Sequence, residues 1–233
     1  MIPAGRQIDP PPSRGKFITL EGGEGAGKST QLAHILCFLR ERGIEAIGTR
    51  EPGGSPAAEA LRKLLLSGRF EGLGPAAEAI LFAAARIDHI DRKIAPALAA
   101  GKYVVCDRFA DSTRAYQGMH KDLAPRFLRA LERVSLGGLR PDLTLILDIP
   151  PAEGLARAAR KRDQDQVPDR FEREDLQFHE GLRAAFLDIA AAEPERCAVI
   201  DALKPEEEVR KAVFKAISER LLAAAHEKQT QPG

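Results

Sequence analysis

The chain has 233 residues, of which 44% are hydrophobic and 30% charged, and its formal net charge at pH 7 is +1. This length and composition suit one globular domain with a large core and argue against two full domains. A net charge this small gives no long-range field for DNA, RNA or an anionic membrane, so phosphate binding must come from locally placed basic residues. We therefore expect small-molecule partners, with no nucleic acid and no membrane.

The chain opens with a proline-rich segment, which predicts a flexible leader over residues 1–15. A single domain is expected over residues 16–225, followed by a frayed tail at residues 226–233. No stretch approaches 18 uninterrupted apolar residues, and the N-terminus lacks the apolar core of a signal peptide. Three scattered cysteines without C-x-x-C pairing are typical of reduced residues, so the sequence predicts a soluble, cytoplasmic protein.

Short β-prone runs alternate with longer helical stretches from residue 16 onward. This alternation is typical of an α/β fold with a parallel sheet flanked by helices. In such a sheet, ligands bind beyond the carboxyl ends of the strands, and polar residues there should share one rim. The predicted strands are Phe17–Leu20, Ile44–Thr49, Tyr103–Asp107, Leu143–Asp148 and Ala198–Asp201, and the polar residues at their ends are Glu21, Arg50, Glu51, Asp107, Arg108 and Asp148.

A full phosphate-binding motif follows the first predicted strand. Residues 22–29 match G-x-x-x-x-G-K-[ST] and precede a helical pattern that ends near Gly43, a plausible C-terminal cap. Lys28 is expected to reach the β- and γ-phosphates and Ser29 to offer its hydroxyl to Mg²⁺. The predicted ATP-binding residues of the loop are Gly22, Gly23, Glu24, Gly25, Ala26, Gly27, Lys28, Ser29 and Thr30.

The third predicted strand ends in Asp107-Arg108-Phe109. The base-reading N-K-x-D segment of switch GTPases is missing from the sequence, as is D-x-x-G at this strand. A carboxylate beside the loop can hold water on Mg²⁺, and Arg108 can contact a second phosphate group with its fork of N–H donors. The pairing indicates two phosphorylated ligands.

Several further motifs together carry a family resemblance: Thr49–Gly54, Leu81–Arg86, Asp111–Gly118, Arg140–Thr144 and Asp169–Glu172. With the phosphate loop and Asp107-Arg108-Phe109, they make residues 16–222 resemble bacterial thymidylate kinase. The resemblance implies the nucleoside-monophosphate-kinase fold of the P-loop NTPases with a five-stranded parallel sheet, and a homodimer. It also implies Mg²⁺-assisted transfer of the γ-phosphoryl group of ATP to dTMP, giving dTDP and ADP for dTTP synthesis. Since a phosphate acceptor is already mostly dianionic at neutral pH, no general base is needed.

The resemblance implies a role for each matching residue. Arg108 would clamp the dTMP phosphate with Arg50 nearby, and Asp107 would lie near the metal. The remaining dTMP contacts would be Phe82 stacked on thymine, Arg86 on its carbonyl, Thr113 and Gln117 on the base, Tyr116 against the sugar, and Glu24 on the 3′-hydroxyl. On local sequence alone, Arg50 and Glu51 could instead form a surface ion pair, and Phe82 could be a core aromatic.

A basic segment at residues 157–173 resembles the lid of this family. Family members with a basic residue after the acid of the loop supply transition-state charge from that position, whereas this chain has Gly25. We expect Arg162 or Arg170 to act instead, ahead of Arg160, and Arg157 to lie near the adenine. The alternative is a basic run that forms a solvated helix face.

Three other functions remain open from the sequence. A kinase of another nucleoside monophosphate would use the same loop with a different base pocket. A regulatory nucleotide-binding module would lack transfer activity, although Lys28, Asp107 and Arg108 argue against it. A polynucleotide-handling ATPase would need a basic face interleaved with aromatic residues, which the sequence lacks.

Overall fold

The computed structural model describes residues 14–67, 72, 74–119, 123–161 and 171–223. Within this part of the chain, five parallel strands form one sheet in the order β2-β3-β1-β4-β5. The expected five-stranded α/β fold is confirmed, and each observed strand agrees with the prediction within two residues at either end. The strands are β1 (Phe17–Glu21), β2 (Ala46–Arg50), β3 (Tyr103–Asp107), β4 (Leu143–Asp148) and β5 (Cys197–Asp201).

Helices surround this sheet: α1 (Lys28–Arg40), α2 (Pro56–Leu66), α3 (Gly74–His89), α4 (Ala95–Ala99), α5 (Ala110–Gly118), α6 (Pro125–Leu136), α7 (Pro151–Lys161), α8 (Leu176–Ala192) and α9 (Glu206–Ile217). A π-helical turn at Ile90–Ile94 joins α3 to α4, and another at Ser218–Leu222 extends α9. None of the helices in the described ranges is long and apolar enough to cross a membrane.

The core lies on both faces of the sheet because neighbouring side chains of a strand point to opposite sides. Ile18 packs with residues of α1 and α9, whereas its neighbour Phe17 packs with residues of the α4 and α6 regions. All five residues of β1 are buried. The central strand therefore holds the loop that follows it on a rigid base.

Gly43 ends the first helix as predicted. Its φ of 70° is left-handed, its N–H bonds the carbonyl of Arg40, and the N–H of Ile44 bonds the carbonyl of Leu39. This pair of bonds is a Schellman motif, in which glycine avoids the steric penalty of positive φ. The motif turns the chain directly into β2.

The carboxyl ends of the strands form the predicted rim, but Asp148 at the end of β4 pairs with a helix residue. Arg50 lies opposite Asp107, and Asp107 lies opposite Leu20, so the ends of β2, β3 and β1 are adjacent. Asp148 instead binds Arg183 of α8 through two hydrogen bonds of 2.6 and 2.8 Å. At the opposite edge, Gly15 is buried and donates to the carbonyl of Leu98, so the described fold includes this residue.

Candidate active site

A cleft of about 990 Å³ lies over the carboxyl ends of the strands. The sequence-predicted residues that line it are Glu24, Gly25, Ala26, Gly27, Lys28, Ser29, Thr30, Arg50, Phe82, Arg86, Asp107, Arg108, Thr113, Tyr116, Gln117 and Arg157. Gly22 and Gly23 line a much smaller cavity behind the loop. Arg162 and Arg170 lie outside the described residues, so the structure gives them no position.

The phosphate loop curls because several of its glycines adopt positive φ. Gly22, Gly25 and Gly27 have φ values of 135°, 65° and 90°, and Gly27 directly precedes α1. The N–H groups at the start of this helix and the helix dipole favour an anion here. The Lys28 ammonium folds back onto the carbonyls of Gly22 and Gly23 at 3.1 and 2.8 Å. Burial and the charge of Arg108 lower the pKa of Lys28.

Gly25 cannot carry a side chain in this arrangement. A Cβ atom at this position would lie 1.9 Å from the carbonyl oxygen of Gly154 in α7, and the φ of 65° is unfavourable for other residues. The loop and α7 are therefore in backbone contact. This contact explains in physical terms why the position after Glu24 holds no basic residue.

Ser29 and Asp107 bring two oxygen ligands together beside the loop. The Ser29 hydroxyl donates to Asp107 Oδ2 at 2.8 Å. In the part of the chain that the structure describes, no group of three or more His, Cys, Asp or Glu side chains could hold a metal. Such a two-oxygen pair suits a hard cation that keeps waters and shares its coordination with substrate phosphates.

Arg108 lies at the centre of the cleft with a φ of 67°, the only non-glycine residue of the described chain with positive φ. Its Nη2 binds Glu24 Oε1 at 2.6 Å, and its Nη1 donates to the carbonyl of Gly22 at 3.2 Å. The same Glu24 oxygen accepts from the Tyr116 hydroxyl at 2.9 Å. Burial raises the pKa of Glu24, but Arg108 and Lys28 outweigh it and lower the pKa to about 2. Glu24 is therefore an anion at neutral pH.

Glu21 holds the turn that carries Arg108, a role that no sequence motif indicated. This buried carboxylate accepts from the N–H of Phe109 at 2.8 Å and from the hydroxyl of Ser112 at 2.6 Å. Burial and the charge of Asp111 raise the pKa of Glu21 to about 7. The last residue of β1 thus fixes the first turn after β3.

Arg86 is held by a buried network behind the cleft. Its Nε donates to Glu51 Oε2 at 2.8 Å, and Glu51 Oε1 lies 3.1 Å from His89 Nδ1. His89 Nε2 in turn lies 2.7 Å from Thr49 Oγ1. All four side chains are buried. The network extends from β2 to α3 and fixes the guanidinium of Arg86.

The suggested Arg50–Glu51 surface pair is wrong. Arg50 instead binds Glu59 of α2 at 3.2 Å, and both side chains are exposed. Glu51 turns inward because the buried Arg86 needs a counter-charge. The carboxylate that follows β2 therefore belongs to the support of the cleft.

Phe82 lies on the same face of α3 as Arg86, four residues earlier. Its ring is half-buried, lines the cleft and lies 6.4 Å from the ring of Phe171. The alternative of a core aromatic is therefore wrong. On α5, which faces α3, Thr113 accepts from Arg86 Nη2 at 2.8 Å and Gln117 donates to Glu78 at 2.9 Å.

The opposite end of the cleft is formed by the segment after β5, which the sequence reasoning missed. Arg157 donates to the carbonyls of Ala202 and Leu203 at 2.8 and 3.1 Å. The other lining residues of this end include Lys204, Pro205, Glu206 and Val209. Their position after the carboxyl end of a parallel strand is the signal that could have identified them.

Comparison with known proteins agrees with this geometry. The family model described as thymidylate kinase matches residues 20–213. The thymidylate kinase of Bradyrhizobium sp. (strain ORS 278) is 55% identical over 213 residues, which cover 91% of this chain and 94% of the relative. That of Nitrobacter hamburgensis is 55% identical over 211 residues, covering 91% of each chain.

A solved structure extends the agreement from sequence to fold. The crystal structure of thymidylate kinase from Ehrlichia chaffeensis superposes with a TM-score of 0.69 at 32% identity. The superposition covers 88% of this chain and 99% of that one. The chain therefore belongs to the thymidylate kinase family, the enzymes that use ATP to phosphorylate dTMP to dTDP.

Proposed function

We propose that ATP and dTMP bind head to head in this cleft and that the γ-phosphoryl group passes between them in line. The observation that carries this proposal is the continuity of the cleft, which is lined by the segment after β5, by the phosphate loop and by α3 and α5. Two polyanions must approach each other in this reaction. The task of the protein is therefore to align them and to neutralise charge.

The donor phosphates would lie on the backbone of residues 22–30 at the start of α1. Lys28 would leave the carbonyls of Gly22 and Gly23 for the β- and γ-phosphate oxygens, which are stronger acceptors because they are charged. Ser29 and Asp107 would hold Mg²⁺, which supplies positive charge to the phosphates when bound. The adenine would lie against Arg157 and the segment after β5, which Arg157 holds through its bonds to Ala202 and Leu203.

The acceptor would occupy the side of the cleft formed by α3 and α5. Arg108 would bind the dTMP phosphate, with Arg50 approaching from β2. Glu24 would accept from the 3′-hydroxyl, and its low pKa keeps it ionised for this role. The remaining contacts would be Tyr116 against the sugar, Phe82 stacked on the thymine, and Arg86, Thr113 and Gln117 on its polar edge.

The transition-state cation would come from the lid. Gly25 supplies no charge, and its contact with Gly154 leaves no room for a basic side chain there. We therefore assign the role to Arg162 or Arg170, ahead of Arg160. Replacing each arginine by alanine in turn should identify the one whose loss lowers kcat far more than it raises either KM.

The test is an acceptor panel with coupled detection of ADP: dTMP, dUMP, dCMP, CMP, AMP and GMP. We expect dTMP to be the best acceptor. Lys28→Ala should lower kcat by about 10²–10³-fold, because one donor to the transferring phosphoryl group is lost. Lys102 directly precedes β3 and does not line the cleft, so Lys102→Ala provides the matched control and should retain full activity. A better acceptor than dTMP would overturn the substrate assignment.

We also propose a cytoplasmic homodimer. The exposed residues of α3 form one helical stripe, Ala76, Ile80, Ala84 and Ile87, and Ile80 is 50% exposed. An apolar stripe of this kind favours burial against a second copy. The three cysteines are free, as expected in a reducing compartment. Ile80→Asp should convert the dimer to a monomer in light scattering, whereas a monomeric parent protein would overturn the assignment.

A further inference from the structure

Helices α3 and α5 form the end of the cleft that is proposed to hold the nucleobase. Two side-chain hydrogen bonds join these helices. Arg86 Nη2 donates to Thr113 Oγ1 at 2.8 Å, and Gln117 Nε2 donates to Glu78 Oε1 at 2.9 Å. On α3, Phe82 lies midway between Glu78 and Arg86, so the three side chains share one helix face. The half-buried Phe82 ring thus has a donor group on one side and an amide on the other.

The bond to Glu78 decides which way the Gln117 amide points. Gln117 Nε2 donates to Glu78 Oε1, so the NH₂ group of Gln117 points toward Glu78 and its carbonyl oxygen points away. Glu78 is 4% exposed and Gln117 only 1% exposed, so bulk water does not compete for this bond. Gln117 Oε1 has no donor among the described residues, and Gln117 lines the cleft. The amide therefore offers the cleft an acceptor and not a donor.

We propose that Glu78 is a positioning residue for nucleobase choice: by holding Nε2 of Gln117, it keeps Oε1 available for an N–H at position 3 of the acceptor pyrimidine. This inference rests on the proposed function, which places the base beside Gln117. Arg86 supplies the complementary donor for a carbonyl at position 4. Thymine and uracil carry this carbonyl and N–H pattern, whereas cytosine carries an amino group and an unprotonated nitrogen.

The consequence is a division of labour in specificity. A site that hydrogen-bonds its substrate can reject an analogue with mismatched polar groups by about 10⁴–10⁵-fold, whereas a methyl group in an apolar pocket gives roughly 10–200-fold. Glu78 should therefore matter for the choice between thymine and cytosine. It should have little influence on the choice between dTMP and dUMP, which both carry the N–H.

The test compares dTMP with dCMP, whose base carries an amino group at position 4 and an unprotonated nitrogen at position 3, in the wild-type protein and in Glu78→Gln. The new amide can donate to Gln117 Oε1 and so allows Gln117 to reverse. We expect the wild type to prefer dTMP to dCMP in kcat/KM by about 10⁴–10⁵-fold, because the site matches the N–H and the carbonyl of thymine. E78Q should reduce this preference by roughly 10- to 100-fold, the effect of one unmatched buried polar group, with the KM for ATP unchanged.

Two further variants keep the test decisive if E78Q is unstable. The exchanged pair E78Q/Q117E places an acceptor at position 117 with a donor behind it and should restore the preference for dTMP. Asp88→Asn removes a carboxylate from the same helix, where it binds Ser55 and Arg92 outside the cleft, and should leave the preference unchanged.

The outcomes separate this inference from the proposed function. A wild-type protein that phosphorylates dTMP and dCMP equally well would overturn the inference while dTMP kinase activity stands. Equal losses with both substrates in E78Q would give Glu78 a structural role only, as would an exchanged pair that folds without regaining the preference. A wild-type protein without dTMP kinase activity would instead overturn the proposed function.

Discussion

The cleft has a phosphate side, at the phosphate loop, and a base side, at α3 and α5 where the nucleobase is proposed to bind. The groups that face the cleft are fixed in position differently on the two sides. On the phosphate side, most of the groups that face the cleft belong to one run of residues, 24–30, shaped by glycines at positive φ and by the start of α1, with Asp107 beside it. On the base side, the groups come from β2, α3 and α5 and depend on buried carboxylates behind them, Glu51 for Arg86 and Glu78 for Gln117. A continuous motif thus forms one side, and tertiary packing forms the other.

This difference predicts different responses to mutation. Backbone N–H groups keep their directions as long as the strand and helix around them are intact. When a buried counter-charge is removed, the protein loses stability and the side chain that the charge aligned is no longer fixed in position. Substitutions behind the base side should therefore affect folding and dTMP binding together, while ATP binding is preserved.

The largest effect is expected for Glu51→Gln. The Arg86–Glu51 pair is almost fully buried, with side-chain exposures of 3% and 5%. Neutralising one partner leaves an uncompensated charge, so the free energy of unfolding should fall by about 3–5 kcal/mol. The KM for dTMP should rise because Arg86 is no longer fixed, and the KM for ATP should stay constant. Urea unfolding and steady-state kinetics measure the two effects.

An exposed ion pair provides the control for this variant. Glu45 binds Lys102 at 3.0 Å, with side-chain exposures of 75% and 43%, so Glu45→Gln should change stability by less than about 1 kcal/mol. If E51Q were no less stable than E45Q, the buried network would not be what holds the base side. An equal rise of both KM values would show that the two sides are coupled.

The next effect concerns Glu21, which lies where the two sides meet. Its pKa is raised from 4.5 to about 7 by burial and by Asp111, while Ser112, Arg108 and the N–H of Phe109 act in the opposite direction. Since the folded state binds this proton more tightly than the unfolded state, stability is lost as pH rises from about 4.5 through 7. The loss should reach about 3 kcal/mol.

Glu21→Gln removes this titration. Its unfolding free energy relative to the wild type should rise over the same pH range and level off above pH 7. Urea titrations at half-unit pH steps from 5 to 8 measure the difference, in which the contributions of other groups cancel. Parallel stability curves for the two proteins would mean that Glu21 does not take up a proton near neutral pH.

The phosphate side could be predicted from sequence because its information is local. The motif at residues 22–29, the five apolar runs and Asp107-Arg108 are each continuous in the chain, and the fold follows from their order. The supporting contacts of the base side, and those of Glu21 between the two sides, are not local in the sequence. Glu51 and Arg86 are 35 residues apart, Glu78 and Gln117 are 39 apart, and Glu21 and Ser112 are 91 apart.

Such pairs form only when separate elements pack, so no periodicity or motif indicates them. The contact of Gly25 with Gly154 is of the same kind, because a glycine pattern predicts a curled loop but not the backbone against which it curls. Arg162 and Arg170, which lie outside the described residues, stay predictions.

The smallest effect concerns the turn after β3, which carries Arg108 between the two sides of the cleft. It tests the backbone conformation of Arg108. Arg108→Ala and Arg108→Gly both remove the guanidinium and leave Glu24 without its ion partner. They differ in how readily residue 108 adopts the φ of 67°. The glycine variant should be more stable by about 1 kcal/mol, since only glycine adopts this conformation without a steric penalty. Urea unfolding of both variants measures the difference.

Arg114, inside α5, provides the matched control with the opposite sign. There Arg114→Gly should be less stable than Arg114→Ala by about 1 kcal/mol, because glycine disfavours a helix interior. Equal stability of the two variants at position 108 would mean that the turn relaxes once the guanidinium is gone. A clear advantage for glycine would instead show that the bonds from Glu21 to Phe109 and Ser112 hold the turn by themselves. In that case the strained conformation exists before any ligand binds, and Arg108 is aligned in advance between the two sides of the cleft.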